Sequence, residues 1–283
     1  MSSAQLGSVS SIHRYAVKSL RGEEVRDATA TTQGLAGDRL WAFRDVRRRE
    51  LASAKHNPGL LQIEAIVDGE SGHARVVMPD GTSWHTSDRD LSEHVSGFLG
   101  KQVTLHPLRP ATETSHYARN PIAASEFEAY AREFFALTDD EPLPDLSNLP
   151  PEAITFTSLP GTYFDVLPLH IVLLSEFQSL CKKLPGTNLS LARFRPNVVI
   201  DDLAHPLKSS DLVGKTLRIG SVIVTVKMTT PRCAMTTHEQ GMLPKAPEIM
   251  RRLVAVWRHS FGVYASIDRG GALSHGAPVL AHS

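Results

Sequence analysis

Cysteine is scarce in this 283-residue chain, which contains only Cys181 and Cys233. Two thiols are too few for a disulfide framework, a four-thiolate zinc site or a cysteine-ligated iron–sulfur cluster. A chain of this length buries roughly three quarters of its unfolded surface, so it can fold without such cross-links. We therefore expect a globular protein of a reducing compartment, located in the cytoplasm.

Net charge and long apolar runs are also lacking. Thirty Lys and Arg residues balance thirty Asp and Glu residues, which disfavours the broad basic surface of a nucleic-acid or anionic-membrane binder. The most apolar run, 166–174, is interrupted by Pro168 and His170 and is far shorter than the ~20 residues of a membrane span. The first eleven residues do not have the composition of a signal peptide. We expect neither a nucleic-acid partner nor a membrane association.

Short apolar segments separated by turn residues predict a mainly β protein of the α+β class with a few short helices. The predicted strands are 61–67, 74–78, 103–105, 169–174, 198–200 and 222–228. The predicted helices are 123–137, 176–184 and 247–257. The stretch 138–160 is acidic and rich in proline, so we expect it to hold neither a helix nor a central strand and to connect two β-rich units.

Cys233 is placed where a reactive side chain can be presented by a rigid scaffold, in a loop directly after a predicted strand. Arg232 precedes it and favours the thiolate, the form of cysteine that attacks electrophiles and binds metals. A half-buried loop cysteine without a role explains the spacing equally well. Cys181 lies in the apolar pattern of a predicted helix and is expected to be a small core side chain.

Three short segments combine basic residues with turn residues, at 17–22, 34–39 and 192–197. Arg and Lys in tight turns can hold phosphate through forked donors and backbone N–H groups. Taken singly, each segment is better explained by surface charge and ordinary turn chemistry.

Thirteen histidines invite a metal interpretation, but they form no H-x-x-x-H or H-E-x-x-H pattern. Cys233 and His238 lie five residues apart, and no second pair completes a zinc site. His170 is flanked by apolar residues and is expected to be a hydrogen-bonded core histidine. Motifs of nucleotide-binding enzymes and hydrolases, such as G-x-G-x-x-G, Walker A and G-x-S-x-G, are missing.

Taken together, the segments resemble the molybdenum cofactor sulfurase C-terminal (MOSC) domain family, in the form that also has an N-terminal β-barrel domain. The similar segments are VKSLRGE (17–23), GLAGDRLWAF (34–43), FDVLPLHIVLLSE (164–176), ARFRPNVVID (192–201), LRIGSVIVTV (217–226), PRCAMTT (231–237) and HGAPVL (275–280). The resemblance implies two packed β-barrel-like units with a cofactor cleft between them. It divides the chain into an N-terminal barrel domain (5–110), a connection (111–163) and a MOSC domain (164–283).

The resemblance further implies a pterin–dithiolene molybdenum cofactor (Mo-molybdopterin) in that cleft. In relatives of the amidoxime-reducing type, the cysteine of the R-C motif binds molybdenum, and this catalytic and metal-binding role carries over to Cys233. Soft thiolate ligation suits a metal already bound by sulfur. The residues that match cofactor contacts are Lys18, Ser19, Arg39, Arg193, Arg195, Asn197 and Arg232, of which Arg193 is the looser match.

The implied activity is a two-electron reduction of an N-hydroxylated small molecule, in which N–OH becomes N–H and water leaves. Eukaryotic relatives have an N-terminal membrane anchor and some bacterial relatives have a C-terminal iron–sulfur domain, and neither is expected here. The electrons would therefore come from a separate electron-transfer protein. Two alternatives remain open: sulfur transfer through a persulfide on Cys233, and a non-catalytic carrier of the cofactor.

Overall fold

The computed structural model describes residues 5–69, 71–147 and 149–282. The strands of these ranges are β1 (Gln5–Arg14), β2 (Glu23–Val25), β3 (Asp27–Thr31), β4 (Gly34–Leu35), β5 (Trp41–Asp45), β6 (Glu50–Leu51), β7 (Glu64–Asp68), β8 (His73–Val77), β9 (Ser83–His85), β10 (Val103–Pro107), β11 (Leu169–Leu173), β12 (Val198–Asp201), β13 (Thr216–Ile219), β14 (Val222–Pro231), β15 (Ser260–Arg269), β16 (Gly271–Ser274) and β17 (Pro278–His282). The α-helices are α1 (Leu91–Leu99), α2 (Thr114–Tyr117), α3 (Phe127–Phe135), α4 (Glu152–Thr155), α5 (Leu174–Lys183), α6 (Ser209–Leu212) and α7 (Glu248–Trp257). The prediction of a mainly β fold with a few short helices is confirmed.

Seven strands form a closed barrel in the order β1-β12-β11-β15-β14-β13-β17, and β17 pairs with β1 again. Neighbouring strands are antiparallel except β11 and β12, which are parallel. Along β14 the residues are buried alternately, and Val222, Val224 and Val226 belong to the barrel's core as their spacing predicts. Closure leaves no open sheet edge between these seven strands.

The N-terminal part contributes three small sheets, β10-β5-β6, β7-β8-β9 and β16-β3-β4. Strand β1 comes from the segment predicted as the N-terminal domain (5–110), yet it closes the barrel of the C-terminal domain. Strand β16 does the reverse, because it pairs with β3 of the N-terminal part. The predicted limits therefore divide the sequence, but each folded part contains one strand from the other segment.

Every predicted strand is present, with shifted ends. The main shift is at 61–67, where the 3₁₀ helix Pro58–Gln62 occupies the first residues and β7 begins at Glu64. The prediction that 138–160 holds no helix is wrong, since α4 forms one turn there behind two prolines, which suit the start of a helix.

The predicted helix 123–137 is shorter in the structure. A 3₁₀ turn, Ala124–Glu126, precedes α3, and Ala136 adopts φ 51°, which ends the helix before Leu137. Ala131 and Phe135 are its buried residues, whereas Phe127 is 43% exposed. Helix α3 is anchored by its C-terminal half.

Two helices pack against the outside of the barrel. Ile249 and Leu253 of α7 are buried, whereas Val256 is exposed. Cys181 of α5 is only partly buried, so the prediction of a core side chain is not met. No helix in the described ranges is both long enough and apolar enough to cross a membrane.

The barrel tolerates no side chain at Gly262 of β15. Its φ is +79°, and a Cβ there would lie 2.6 Å from both His170 Nε2 and the Ile171 carbonyl oxygen. Gly276 has a similar φ of +76° but no heavy atom within 4 Å of its Cβ position. The two glycines share the conformational restriction and differ in the available space.

We predict that Gly262→Ala lowers the free energy of unfolding by about 2–4 kcal/mol, the sum of left-handed strain and overpacking. Gly276→Ala, the matched control, carries the strain alone and loses about 1 kcal/mol. Urea unfolding of both variants measures the difference. Equal losses would contradict the close approach of β15 to β11.

Candidate functional site

A solvent-accessible cleft of about 110 Å³ lies where the barrel, the N-terminal part and the connection meet. Its charged lining residues are Arg39 and Lys55 of the N-terminal part, Arg119 of the connection, and Asp165, Arg195 and Arg232. Five cations face one carboxylate, so a neutral chain has a strongly positive cleft.

Cys233 lines this cleft at the end of the long strand β14. The residue is half-buried and directly precedes the 3₁₀ helix Ala234–Thr237. The Thr236 hydroxyl donates to the Cys233 carbonyl oxygen (3.0 Å), and the Thr237 hydroxyl donates to that of Ala234 (2.8 Å). The two threonines of the sequence motif thus close the turn that presents the thiol.

Asp38 fixes the position of Arg39. One carboxylate oxygen of Asp38 accepts from the Tyr15 backbone N–H (2.7 Å), and the other accepts from Arg39 and from Asn197 Nδ2 (3.1 Å). Burial alone would lower the pKa of Arg39, but the charge of Asp38 outweighs it and raises that pKa. Asn197 Oδ1 accepts from the His170 backbone N–H (3.2 Å), which ties the barrel to this ion pair.

Arg195 and Arg232 extend from the barrel and have fewer partners. Arg195 donates to the Leu20 carbonyl oxygen, and its guanidinium lies 4.1 Å from the Tyr15 ring centroid. Burial, followed by the charge of Arg39, lowers the pKa of Arg195 to about 10. Arg232 donates to the Phe194 carbonyl oxygen (2.8 Å). Arg195 Nη2 and Arg232 Nε are buried without a hydrogen-bond partner in the part of the chain that the structure describes.

Lys18 reaches the cleft indirectly, through Asp165. Its Nζ donates to Asp165 Oδ1 (2.8 Å) and to the Tyr163 carbonyl oxygen (3.1 Å). Lys55 Nζ is 3.9 Å from the same carboxylate oxygen. Burial raises the pKa of Asp165, but Lys18, Lys55 and Arg39 outweigh it and hold that pKa well below the usual range. The Asp165 side chain keeps 40% of its surface exposed to the cleft as a carboxylate.

His170 is buried as predicted, but it also lines the cleft. Its Nδ1 lies 3.3 Å from the Arg195 carbonyl oxygen, and its Nε2 lies 3.3 Å from the Phe261 carbonyl oxygen and 3.4 Å from Arg232 Nη1. Both ring nitrogens thus lie beside a carbonyl oxygen, which accepts the single hydrogen of the neutral ring at either position. Burial and the charge of Arg232 lower the pKa of His170 to about 3. The ring is neutral at physiological pH.

Three of the predicted site residues adopt a left-handed backbone: Ser19 (φ 69°), Arg39 (φ 52°) and Arg195 (φ 53°). Seven residues other than glycine have positive φ in the described ranges. This conformation is unfavourable for such residues and persists only where surrounding contacts enforce it. Arg39 and Arg195 line the cleft, so the placement of these two side chains is maintained against local backbone preference.

The structure does not bring all predicted residues into the cleft. Arg193 is fully buried, and its guanidinium donates to the carbonyl oxygens of Thr236 (3.3 Å), His238 (2.9 Å) and Pro244. The Ser19 hydroxyl accepts from the Ala54 backbone N–H (3.1 Å). These contacts hold the surrounding loops and do not favour a direct role of either side chain toward a ligand.

Sequence reasoning did not identify five polar residues that line the cleft, namely Lys55, Arg119, Thr157, Asp165 and Tyr264. Asp165 lies within the segment 164–176 that carries the resemblance, which is the one available signal. Burial raises the pKa of Tyr264, so its hydroxyl keeps its proton. No group of three or more His, Cys, Asp or Glu side chains among the described residues is arranged to hold a metal ion.

The fold and the site together define a closed β-barrel protein with a cationic cleft that contains a thiol. Comparison with protein families matches residues 6–111 to the MOSC N-terminal beta barrel domain and residues 158–280 to the MOSC domain. The chain belongs to the MOSC domain family, in the form with that N-terminal domain. MOSC domains are associated with binding of the molybdenum cofactor.

Solved structures with a similar fold include YuaD from Bacillus subtilis, at 10% identity and a TM-score of 0.46, covering 98% of this chain and 96% of that chain. YiiM from Geobacillus stearothermophilus (16%) and YiiM from Escherichia coli (17%) each have a TM-score of 0.34 and cover 41% of this chain. The chain spans 55% of each YiiM chain. Comparison with curated proteins gives no match.

The neutral state of His170 predicts a specific acid sensitivity. Its pKa is about 3 in the fold and 6.5 in the unfolded chain. Below pH 6.5 the unfolded chain therefore binds more protons, and stability falls as pH falls. Between pH 7.5 and pH 5 this one residue removes about 2 kcal/mol of unfolding free energy.

We predict that His170→Gln is less stable at pH 7.5 but loses about 2 kcal/mol less than the wild type between pH 7.5 and pH 5. Urea unfolding at both pH values measures this difference. The exposed His275, changed to Gln, serves as the control and should leave the pH dependence unchanged. Parallel pH profiles for wild type and His170→Gln would contradict the assignment.

Proposed function

We propose that this chain holds a molybdenum cofactor in the cleft, with Cys233 as a ligand to the metal, and reduces N-hydroxylated compounds with electrons from a separate protein. The observation that carries the proposal is a half-exposed thiol in the same cleft as five cations. The family's association with the cofactor supports it.

The donors around the cleft fit an anionic cofactor. Arg195 Nη2 and Arg232 Nε are buried and have no partner among the described residues, and an unmade hydrogen bond of a buried group costs roughly 1–3 kcal/mol or more. A phosphate could accept from both guanidinium groups. Arg39 flanks them and would complete the binding set, whereas Asn197, whose amide already bonds to His13, Asp38 and His170, would act by holding Asp38 beside Arg39. Lys18 would act through Asp165, and Ser19 and Arg193 through the loops that they hold.

The thiol of Cys233 suits a metal that already has sulfur ligands, because thiolates are soft donors. When bound, the cofactor supplies two-electron redox chemistry at the metal. The overall reaction converts N–OH, two electrons and two protons into N–H and water. This leaves the chain itself to bind the substrate, orient it and hold the protons.

The groups that line the cleft differ in whether they carry a proton that can be transferred to a substrate. Asp165 is a carboxylate because its pKa is held well below the usual range, and both ring nitrogens of His170 face backbone carbonyl oxygens. Neither is suited to give a proton to a substrate. The Tyr264 hydroxyl and the Lys55 ammonium do carry protons, and both line the cleft. Burial raises the pKa of Tyr264 and makes its hydroxyl a weak acid, so we assign proton delivery to Lys55.

We predict about one molybdenum per chain in protein purified from a host that makes the cofactor. Cys233→Ala should lose most of it and still unfold within ~0.5 kcal/mol of the wild type, because it removes few packing contacts. Cys181→Ala, the matched control, should keep the metal. Elemental analysis of the three proteins decides this. Full molybdenum in Cys233→Ala would refute the ligand assignment, and a persulfide on Cys233 of metal-free protein would favour sulfur transfer.

We also predict that the molybdenum-loaded chain converts benzamidoxime to benzamidine with a low-potential chemical reductant, and that it does not do so with NADH or NADPH alone. The reason is that the proposal assigns electron delivery to a separate protein. Product formation measured by chromatography tests both conditions. Turnover with NADPH alone would remove the need for a partner, and bound metal without turnover under either condition would favour the cofactor-carrier alternative.

A further inference from the structure

The cleft is smaller than the pockets that usually enclose small molecules. Its volume is about 110 Å³, whereas such pockets measure roughly 300–1,000 Å³. A ligand that is enclosed there therefore requires a wall that can move. The connection supplies one wall, and its residues are Arg119, Phe134, Phe135, Leu149, Ala153 and Thr157.

The other two walls are held in place by the fold. On the barrel side, His170, Pro231 and Tyr264 lie on strands β11, β14 and β15 of a closed sheet. The N-terminal part is joined to the same barrel through the pairing of β1 with β12 and β17. Movement of either wall would break hydrogen bonds between strands, so the connection is the wall that can move at the lowest cost.

The connection leaves the rest of the molecule and returns to it through a narrow neck. Ala118 and Phe156 form an antiparallel bridge there. Next to this neck, Asn120 Nδ2 donates to the Arg48 carbonyl oxygen of the N-terminal part (2.9 Å). We call the chain beyond the neck, residues 119–147 and 149–155, the flap. Because its two ends are paired with each other, the flap can move as one body about the neck.

Hydrogen bonds within the flap connect helix α3 to the loops on both sides of it. Arg132 of α3 donates to the carbonyl oxygens of Thr138 (2.8 Å) and Glu141 (2.9 Å). On the other side, Arg119 donates to the Tyr130 hydroxyl (2.6 Å). The helix and its flanking loops would therefore move together.

Arg251 of α7 holds the middle of the flap against the outside of the barrel. Its Nη2 lies 2.9 Å from Glu141 Oε2 and also donates to the Ala136 carbonyl oxygen. Beside this contact, Leu137 is partly buried against the apolar residues of α7. The Arg251 side chain keeps 35% of its surface exposed. An ion pair that is so accessible to water is weak, so it can break and form again without unfolding of the barrel.

We propose that the flap is a lid over the cleft, which opens about the neck when Arg251 releases Glu141 and Ala136. Opening gives molecules larger than the present cleft access to Cys233, and closing encloses them. The same movement would admit the proposed cofactor. That last step rests on the proposed function, whereas the movement itself requires neither molybdenum nor turnover.

The test is alkylation of Cys233 in the full, metal-free chain by two uncharged reagents, the small iodoacetamide and the larger N-phenylmaleimide. Both react with the thiolate, so the ratio of their rate constants reports access and does not depend on the pKa of the thiol. Mass spectrometry separates modification of Cys233 from that of Cys181. Arg251→Met should raise the N-phenylmaleimide rate roughly fivefold, the effect expected of a lost, partly exposed ion pair, and leave the iodoacetamide rate nearly unchanged.

Three further variants make the result specific. Glu141→Gln breaks the same ion pair from the other side and should change the ratio in the same direction, while Arg251→Lys keeps the charge and should restore most of the wild-type ratio. Lys182→Met, at an exposed lysine of α5, is the control and should change neither rate. A wild-type ratio in both Arg251→Met and Glu141→Gln would overturn the lid. An equal rise of alkylation at Cys181 would also overturn it, because the whole chain would then have loosened.

Discussion

Closure of the barrel by β1 is the constraint on which the candidate site depends. The strand pairs with β12 and β17, and the residues that follow it contact the segment from Phe194 to Asn197, part of which lines the cleft. Beyond β1 the Tyr15 hydroxyl donates to the Pro196 carbonyl oxygen (3.0 Å), and Arg195 donates to that of Leu20. The site is therefore assembled by the same contacts that complete the fold, and the two β-rich parts cannot separate without opening the barrel.

Gathering cations in one place is unfavourable, and the structure compensates each of them differently. Asp38 balances Arg39, and Asp165 balances Lys18, while Arg193 is held by neutral carbonyl oxygens. Arg195 is the least compensated, since its pKa is lowered to about 10 and one of its donors has no partner in the described ranges. Positive charge without its own counter-ion is what an anion-binding site requires, and the surrounding fold must supply the stability that this site lacks.

The sequence predicted the parts of this molecule that depend on local pattern. Alternating valines predicted β14, and a thiol after a strand, beside an arginine, identified Cys233 as a candidate. It could not predict that Asp165 and Lys55 meet across the cleft, because they are far apart in the chain and their pairing depends on how the strands of two parts are exchanged. The helix limits in 111–163 were missed for a similar reason, since α3 is fixed by tertiary packing and by the left-handed Ala136.

Arg193 and Arg195 are the clearest case in which the sequence does not predict where a side chain lies. They are two residues apart in one basic segment and were predicted to share a role, yet they lie on opposite sides of a turn. Arg193 belongs to the 3₁₀ helix Leu191–Phe194, and its donors reach carbonyl oxygens of the loop after Cys233. Arg195 follows that helix at φ 53°, and the reversal directs its side chain to Tyr15 and the cleft. A single left-handed residue thus separates an arginine that supports the loop from one that faces a ligand, and no property of the residue types distinguishes the two beforehand.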